Sequence, residues 1–285
     1  MAIVYVNGQW VSKEQAMVSV FDHGLLYGDG VFEGIRAYNG KIFRLREHLE
    51  RLYDSAKAIW LTIPIDIAEM TALHEEGVKR AGLADCYIRS VVTRGTGDLG
   101  LDPRKCKTPS IFVIFDKIAL WPEERYAQGL SVVTASTPTP HRESLSPRVK
   151  SLNYLPHILA KVEGLVAGAD EVLMLDSSGF VAEGSGANLF IVRRGELLTP
   201  APHSGILRGV TRDAVIEIAK ATGRTVHETT LNRFDVYTAD EVFFTGTGAE
   251  LVHANSVDGR KIGDGKAGSV MSDLRERFRK LAKGG

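Results

Sequence analysis

Lys150 is followed four residues later by Tyr154, and 33 residues after the lysine stands Glu183, in the turn Val181-Ala182-Glu183-Gly184-Ser185-Gly186-Ala187-Asn188. A lysine amine can condense with an aldehyde to form a Schiff base, and can then move a proton as a general base. A carboxylate can keep a pyridine nitrogen protonated, so that the ring acts as an electron sink. A phenol can donate to a phenolate oxygen and stabilise it as an anion. These three residue types answer the needs of pyridoxal 5'-phosphate (PLP). Singly, each has an ordinary reading. Most lysines are solvated surface charges, and Tyr154 alone reads as a core aromatic on a helix.

PLP also carries a phosphate, which needs cations and amide donors. Gly205-Ile206-Leu207-Arg208-Gly209-Val210-Thr211-Arg212-Asp213 leads into a helical run. The backbone N–H groups of Val210 and Thr211 at that start, with the Thr211 hydroxyl, make an anion seat. Phe243-Phe244-Thr245-Gly246-Thr247-Gly248-Ala249-Glu250 is a second glycine-rich turn after a strand, and Thr247 can offer its hydroxyl there. Arg51 lies on an early helix, in Glu47-His48-Leu49-Glu50-Arg51-Leu52. By itself it reads as a solvated helix charge.

Other motifs lead elsewhere or nowhere. Gly95-Thr96-Gly97-Asp98-Leu99-Gly100 matches G-x-G-x-x-G after a strand, which is the start of a dinucleotide fingerprint. That fingerprint needs a helix to open at its last glycine. Leu101-Asp102-Pro103 follows instead, so a loop near an active site is expected. Gly263-Asp264-Gly265-Lys266 lacks the P-loop spacing, and Ser185 misses G-x-S-x-G. The histidines and cysteines form no ligand cluster, so no metal site is expected.

The elements that must position these groups belong to a chain of 285 residues, long enough for about two domains. It is 44% hydrophobic and 25% charged, with formal net charge +0. That balance points to no nucleic-acid partner and no anionic membrane surface. No apolar run is long enough to span a bilayer. Cys86 and Cys106 need no disulfide framework, and the first residues do not read as a signal peptide, so a cytoplasmic protein is expected.

Residues 1–117 read as a small α+β domain. Asn7-Gly8 and Asn39-Gly40 each join two strand-like runs as hairpins. Leu45, Leu49, Leu52, Ala56 and Ile59/Trp60 share one helical face up to Leu61. Asp66 and Glu69 form a capping pair for a further helix that Gly82 closes. Tyr87–Thr93 and Ile111–Phe115 read as strands. Residues 118–129 read as a connector and 130–285 as a larger, PLP-binding domain. In it, 152–167, 211–222 and 267–283 read as helices, and 130–135, 171–175, 188–192 and 241–245 as strands. Hairpins interrupt any regular βαβ alternation, which argues for a mixed α+β fold over a doubly wound sheet.

The wording of these motifs resembles the class IV (fold type IV) PLP aminotransferases, and among them the branched-chain amino-acid aminotransferases. Tyr27-Gly28-Asp29-Gly30-Val31-Phe32-Glu33-Gly34-Ile35-Arg36-Ala37-Tyr38, His48-Leu49-Glu50-Arg51-Leu52, Tyr87-Ile88-Arg89, Lys150-Ser151-Leu152-Asn153-Tyr154, Glu183-Gly184-Ser185, Gly209-Val210-Thr211-Arg212 and Thr245-Gly246-Thr247 match in order, from about Tyr5 to Asp258. The resemblance implies a two-domain fold like that of D-amino-acid aminotransferase, with PLP in the cleft between domains, and a homodimer or larger homo-oligomer. It implies Lys150 as the Schiff-base lysine, and Arg51, Tyr154, Glu183, Val210, Thr211 and Thr247 as cofactor ligands. It implies Tyr27, Phe32, Arg36, Tyr87, Arg89, Trp121, Thr247 and Gly248 around the substrate. Trp121 falls where some relatives have a tyrosine, and Gly248 where branched-chain relatives often have alanine.

The function so implied is transamination of leucine, isoleucine and valine with 2-oxoglutarate, giving the branched-chain 2-oxo acids and glutamate. Within the same fold the alternatives are a D-amino-acid or (R)-amine transaminase, or an aminodeoxychorismate lyase. Outside it they are an NAD oxidoreductase using Gly95–Gly100 and a non-catalytic binding protein. Arg89 has its own pair of readings: an interior salt bridge on a strand, or the cation that meets the side-chain carboxylate of glutamate.

Overall fold

A computed structural model describes residues 2–118 and 120–284. The chain divides into two compact units. The first is Met1–Ile118 together with the short segment Val149–Asn153; the second is Ala119–Arg148 with Tyr154–Gly285.

The first unit is built on a six-stranded sheet. Its order is Gln9–Ser12, Ile3–Val6, Ser110–Asp116, Cys86–Thr93, Gly30–Tyr38 and Lys41–Ile42, antiparallel throughout. Both Asn-Gly hairpins form. Asn7 and Gly8 have φ of 46° and 93°, and Asn39 and Gly40 have φ of 48° and 75°, the left-handed pair that a two-residue hairpin turn requires. Alternation along the strands sends Val31, Ile35, Ile88, Val92, Val113 and Phe115 to one face, against Leu49, Leu52, Ala56, Met70 and Val78 of the helices Leu45–Ala58 and Ile67–Ala81. Each of these side chains larger than alanine contributes about 1.5–3 kcal/mol on full burial. The second helix lies so close to the sheet that a Cβ at Gly77 would run into the Phe115 ring. Asp66 and Glu69 form the expected capping box and Gly82 closes the helix in the left-handed conformation.

The first helix stops at Ala58, three residues before the sequence expectation. Trp60 turns left-handed, with φ 56°. Arg94, ion-paired to Asp29, donates to the carbonyls of Ile59 and Trp60 beyond the last turn.

The second unit holds an eight-stranded sheet of mixed direction. Its path is Val226–Thr229, Glu196–Pro200, Asn188–Arg193, Glu241–Gly246, Glu250–Val257, Leu130–Thr134 and Glu171–Leu173, with Arg260–Lys261 paired to Glu250–Val257. Leu189, Ile191, Val242, Phe244, Val252 and Leu130 lie in its core. Four of these strands, Glu196–Pro200, Val226–Thr229, Glu250–Val257 and Arg260–Lys261, have no counterpart in the sequence reading. In Glu250–Val257 the polar His253 and Glu250 are buried, which hides the alternation on which such a reading depends. The stretch 118–129, read as a connector, carries the helix Glu123–Gln128 and, after Ile118, groups with the second unit.

The largest departure concerns Lys150. The sequence placed it in the second domain, with a helix from Leu152. Instead the Phe32 N–H donates to the Lys150 carbonyl (2.9 Å), the Leu152 N–H donates to the Gly30 carbonyl (2.9 Å), and Ser151 bridges Val31. The segment 150–152 is thus an extended addition to the strand Gly30–Tyr38. Its backbone groups are used in that pairing, so the helix begins later, at Leu155, with Tyr154 as its cap. Tyr154 is therefore not one helical turn beyond Lys150.

Candidate active site

In the first unit, Lys150 is held by its own backbone. Its N–H donates to Ser55 Oγ (3.1 Å), on the helix Leu45–Ala58. Its Nζ lies 4.5 Å from the centre of the Phe32 ring. Arg89 approaches the same ring, its guanidinium carbon 4.8 Å from the Phe32 ring centre. Arg89 Nη2 donates to the Tyr87 hydroxyl (2.8 Å). Strand register explains the grouping. Phe32, Gly34 and Arg36 pair with Val91, Arg89 and Tyr87, so all six project from one face. Gly34 leaves the room: a Cβ there would collide with the Tyr87 hydroxyl. Among the described residues no carboxylate pairs with Arg89. The salt-bridge reading of this arginine is not what the structure holds. Arg36 lies over the Tyr38 ring at 4.8 Å. Tyr27, on the short helix His23–Tyr27, donates to the Leu99 carbonyl (2.6 Å).

Arg51 occupies the opposite, inner face. Its Nε and Nη2 donate to Glu33 (2.6 and 2.8 Å), which also bonds His48 Nδ1 (2.8 Å). Glu33 and His48 are buried. Burial alone would raise the Glu33 pKa, but Arg51 and His48 together outweigh it and hold the carboxyl far below the ordinary carboxylate range. Burial pushes the His48 imidazole below its ordinary value. The expectation of a solvated helix charge fails here, because Arg51 has a buried bidentate partner.

The loop Gly95–Gly100 is followed by the three-residue 3-10 turn Pro103–Lys105, with no α-helix to receive a pyrophosphate. His23 bonds the Asp98 carbonyl (2.7 Å), which ties the loop to the helix bearing Tyr27.

In the second unit, Glu183 is 6% exposed. Its Oε2 accepts from Asn188 Nδ2 (2.9 Å) and from the Leu207 N–H (3.1 Å). Asn188 Nδ2 also donates to the Leu207 carbonyl (2.8 Å). Asn188 therefore connects Glu183 to the turn that begins the helix Val210–Ala221. The approach is close: a Cβ at Gly209 would collide with Asn188 Oδ1. That helix has no side-chain cap at Gly209, so its first N–H groups, with the buried Thr211, remain available to an anion. The turn bearing Thr247 and Gly248 abuts the Glu183 turn, since Thr245 pairs with Asn188 and Gly246 lies against the Gly186 carbonyl. Tyr154 stacks on His157 with ring centres 4.6 Å apart and planes at 21°. His157 Nε2 lies 3.8 Å from Glu183 Oε1. Trp121 packs on the core of this unit and donates to the Asp170 carbonyl (3.4 Å), a structural use of the residue.

Sequence reasoning assigned no role to Glu33, Ser55, His157 or Asn188. Asn188 closes the quoted Glu183 motif, and the capacity of an amide to bridge a carboxylate and a carbonyl was the one signal available.

The donor set suits PLP. A buried carboxylate whose contacts are two neutral donors and a histidine, with no lysine or arginine within ion-pair distance among the described residues, fits a cationic ring nitrogen. An uncapped helix start fits a phosphate.

Comparison with known proteins agrees with this chemistry. The family described as amino-transferase class IV matches residues 30–257. A branched-chain-amino-acid aminotransferase of Pseudomonas aeruginosa is 38% identical over 287 residues, covering 99% of this chain and 93% of its own length. A Methanocaldococcus jannaschii protein, 50% identical over 278 residues, covers 98% of this chain and 96% of its own, and bears the same enzyme name in qualified form. The crystal structure of the T.th. branched-chain amino acid aminotransferase with pyridoxamine 5'-phosphate superposes with a TM-score of 0.94 at 41% identity, over 99% of this chain and 94% of that one.

Proposed function

The chain belongs to the class IV amino-transferases, and on that premise we infer a PLP-dependent aminotransferase that moves the amino group of branched-chain L-amino acids to 2-oxoglutarate. One observation of the structure carries the reading: Glu183 is a buried carboxylate supported by neutral donors and a histidine, which keeps its negative charge for a bound cation. PLP, when bound, supplies the electron sink for the substrate Cα–H bond.

The residues divide the remaining work. Lys150 would hold the cofactor covalently through Nζ and take the proton from the substrate Cα. Glu183 would keep the ring nitrogen protonated, and Tyr154 would donate to the phenolate oxygen. Val210, Thr211 and Thr247 would hold the phosphate in the second unit. Arg51 would serve it in the first, its guanidinium oriented by Glu33. For substrate, Phe32 would form the apolar wall, and Arg89, Tyr87, Arg36 and Tyr27 the polar contacts of the first unit. Thr247 and Gly248 would offer amides to the α-carboxylate. Trp121 is left out, because its indole is committed to its own core.

The helix Leu155–Val166 supports a homodimer or larger assembly. Leu155, Ile158, Leu159, Val162, Leu165 and Val166 are all exposed, Val166 at 84%, an apolar stripe that a second copy would cover. Among the described residues no helix is long and apolar enough to cross a membrane. Two free, buried cysteines support a cytoplasmic setting.

The test is a coupled assay of L- and D-amino acids against 2-oxoglutarate, with borohydride fixation of the bound cofactor. L-Leucine, L-isoleucine and L-valine should be substrates, and the fixed label should lie on Lys150. Turnover confined to D-amino acids, or absence of label, would overturn the reading.

A further inference from the structure

The helix Leu155–Val166 is built with its large apolar residues outward. Its buried positions are His157, Ala160 and Gly164, spaced three and four residues apart. Ala160 and Gly164 have a packing reason: a Cβ at Gly164 would come within 2.6 Å of Val172 Cγ1. His157 has none of that kind. It is the polar residue on that buried stripe, and it is 8% exposed. Its Nδ1 is buried without a hydrogen-bond partner. An unmet buried polar atom is costly, so its presence there calls for a compensating use.

The surroundings supply that use. The imidazole stacks on Tyr154, and its Nε2 is 3.8 Å from Glu183 Oε1. The two donors that Asn188 and Leu207 provide both go to the other oxygen, Oε2. His157 thus stands beside the carboxylate oxygen that these donors leave unserved. Its Nε2 faces Oε1 at 3.8 Å, where a lysine or arginine would bring a permanent charge.

We propose that His157 is a positioning residue of the cofactor site, acting on Glu183 Oε1 through the polar edge that its Nε2 presents at 3.8 Å and on Tyr154 through the ring stack. The proposal rests on the assignment of Glu183 and Tyr154 to the cofactor. Two substitutions separate the contacts. His157→Phe keeps a ring against Tyr154 and removes the N–H. His157→Gln keeps an N–H donor and removes the ring. His157→Leu replaces the Phe variant if that one does not fold.

Three quantities should be read: PLP affinity by titration of the apoenzyme, the visible absorption band of the bound cofactor with its pH midpoint, and kcat and KM for leucine. His157→Phe should shift the band midpoint and lower kcat about tenfold, equivalent to about 1.4 kcal/mol, with KM nearly unchanged. His157→Gln should recover most of kcat and the parental midpoint. Glu183→Gln is the control. If Glu183→Gln moves the band while His157→Phe leaves band, affinity and kcat at parental values, the proposal is overturned and the site assignment stands. If Glu183→Gln leaves the band unmoved, the assignment of Glu183 fails, and the proposal with it.

Discussion

Two buried glutamates, one in each unit, are held in opposite ways. Glu33 is wholly inside the first unit, bidentate to Arg51 and bonded to His48. Its charge is neutralised where it stands. Glu183 in the second unit has an amide, a backbone N–H and a neighbouring imidazole, and no lysine or arginine within ion-pair distance among the described residues. The first arrangement fixes a guanidinium in place. The second keeps a negative charge available to a ligand. The arginines of the first unit repeat the contrast: Arg51 is paired with a carboxylate, while Arg89 rests on Phe32 and Tyr87. Burial therefore does not separate the two glutamates, and the presence of an internal counter-charge does.

The severest intervention removes the amine on which the chemistry turns. Lys150→Ala should abolish transamination, because proton transfer and covalent attachment are lost together. The check is leucine turnover with 2-oxoglutarate, and near-normal turnover would remove Lys150 from the centre. Next comes the contrast itself. Glu183→Gln should cut kcat at least ~100-fold, about 3 kcal/mol of transition-state stabilisation, with little change in unfolding free energy. Glu33→Gln should act chiefly on stability. Breaking a buried ion pair by neutralising one partner costs about 3–5 kcal/mol of stability, readable by urea unfolding, while the pH midpoint of the cofactor band stays parental. Equal kinetic losses in both variants would erase the distinction.

A smaller effect should separate the two arginines. Arg89→Leu should impair the glutamate half-reaction at least about tenfold more than the leucine half-reaction, because the missing counter-charge is that of the substrate side chain. Single-turnover rates for each half decide it, and equal losses would take Arg89 out of the side-chain pocket.

The mildest prediction concerns acid. Burial lowers the His74 pKa to about 4, whereas an unfolded histidine titrates near about 6.5. Between those values the unfolded chain binds more protons, so stability falls as pH falls. Glu33 extends the loss. Its folded carboxyl stays charged well below the usual range, while the unfolded one takes up a proton near about 4.3, so further stability is lost below that pH. Unfolding free energies measured from pH 7 downward should decline through both windows. In Glu33→Gln the decline below about pH 4.3 should be shallower.

Local features were legible in the order of residues. The Asn-Gly hairpins follow from the left-handed turn, the Asp66/Glu69 box from capping chemistry, and the helix after Gly209 from its apolar period. The family's motifs were legible in the same way. Pairing at a distance was not, and it had to wait for the packed chain. Lys150 joins the strand that bears Phe32 because free backbone groups on that strand accept it, and no periodicity within 149–153 records this. Arg51 looks like a surface charge on its helix until Glu33, on a strand, turns inward to meet it. His157, Asn188 and Leu207 become the setting of Glu183 by chain reversals that bring positions up to 26 residues apart within ion-pair or hydrogen-bond reach. Local propensity fixes φ and ψ one turn at a time. The balance of buried charge is a property of the packed whole, and that balance selects the residues left with charge to offer a ligand.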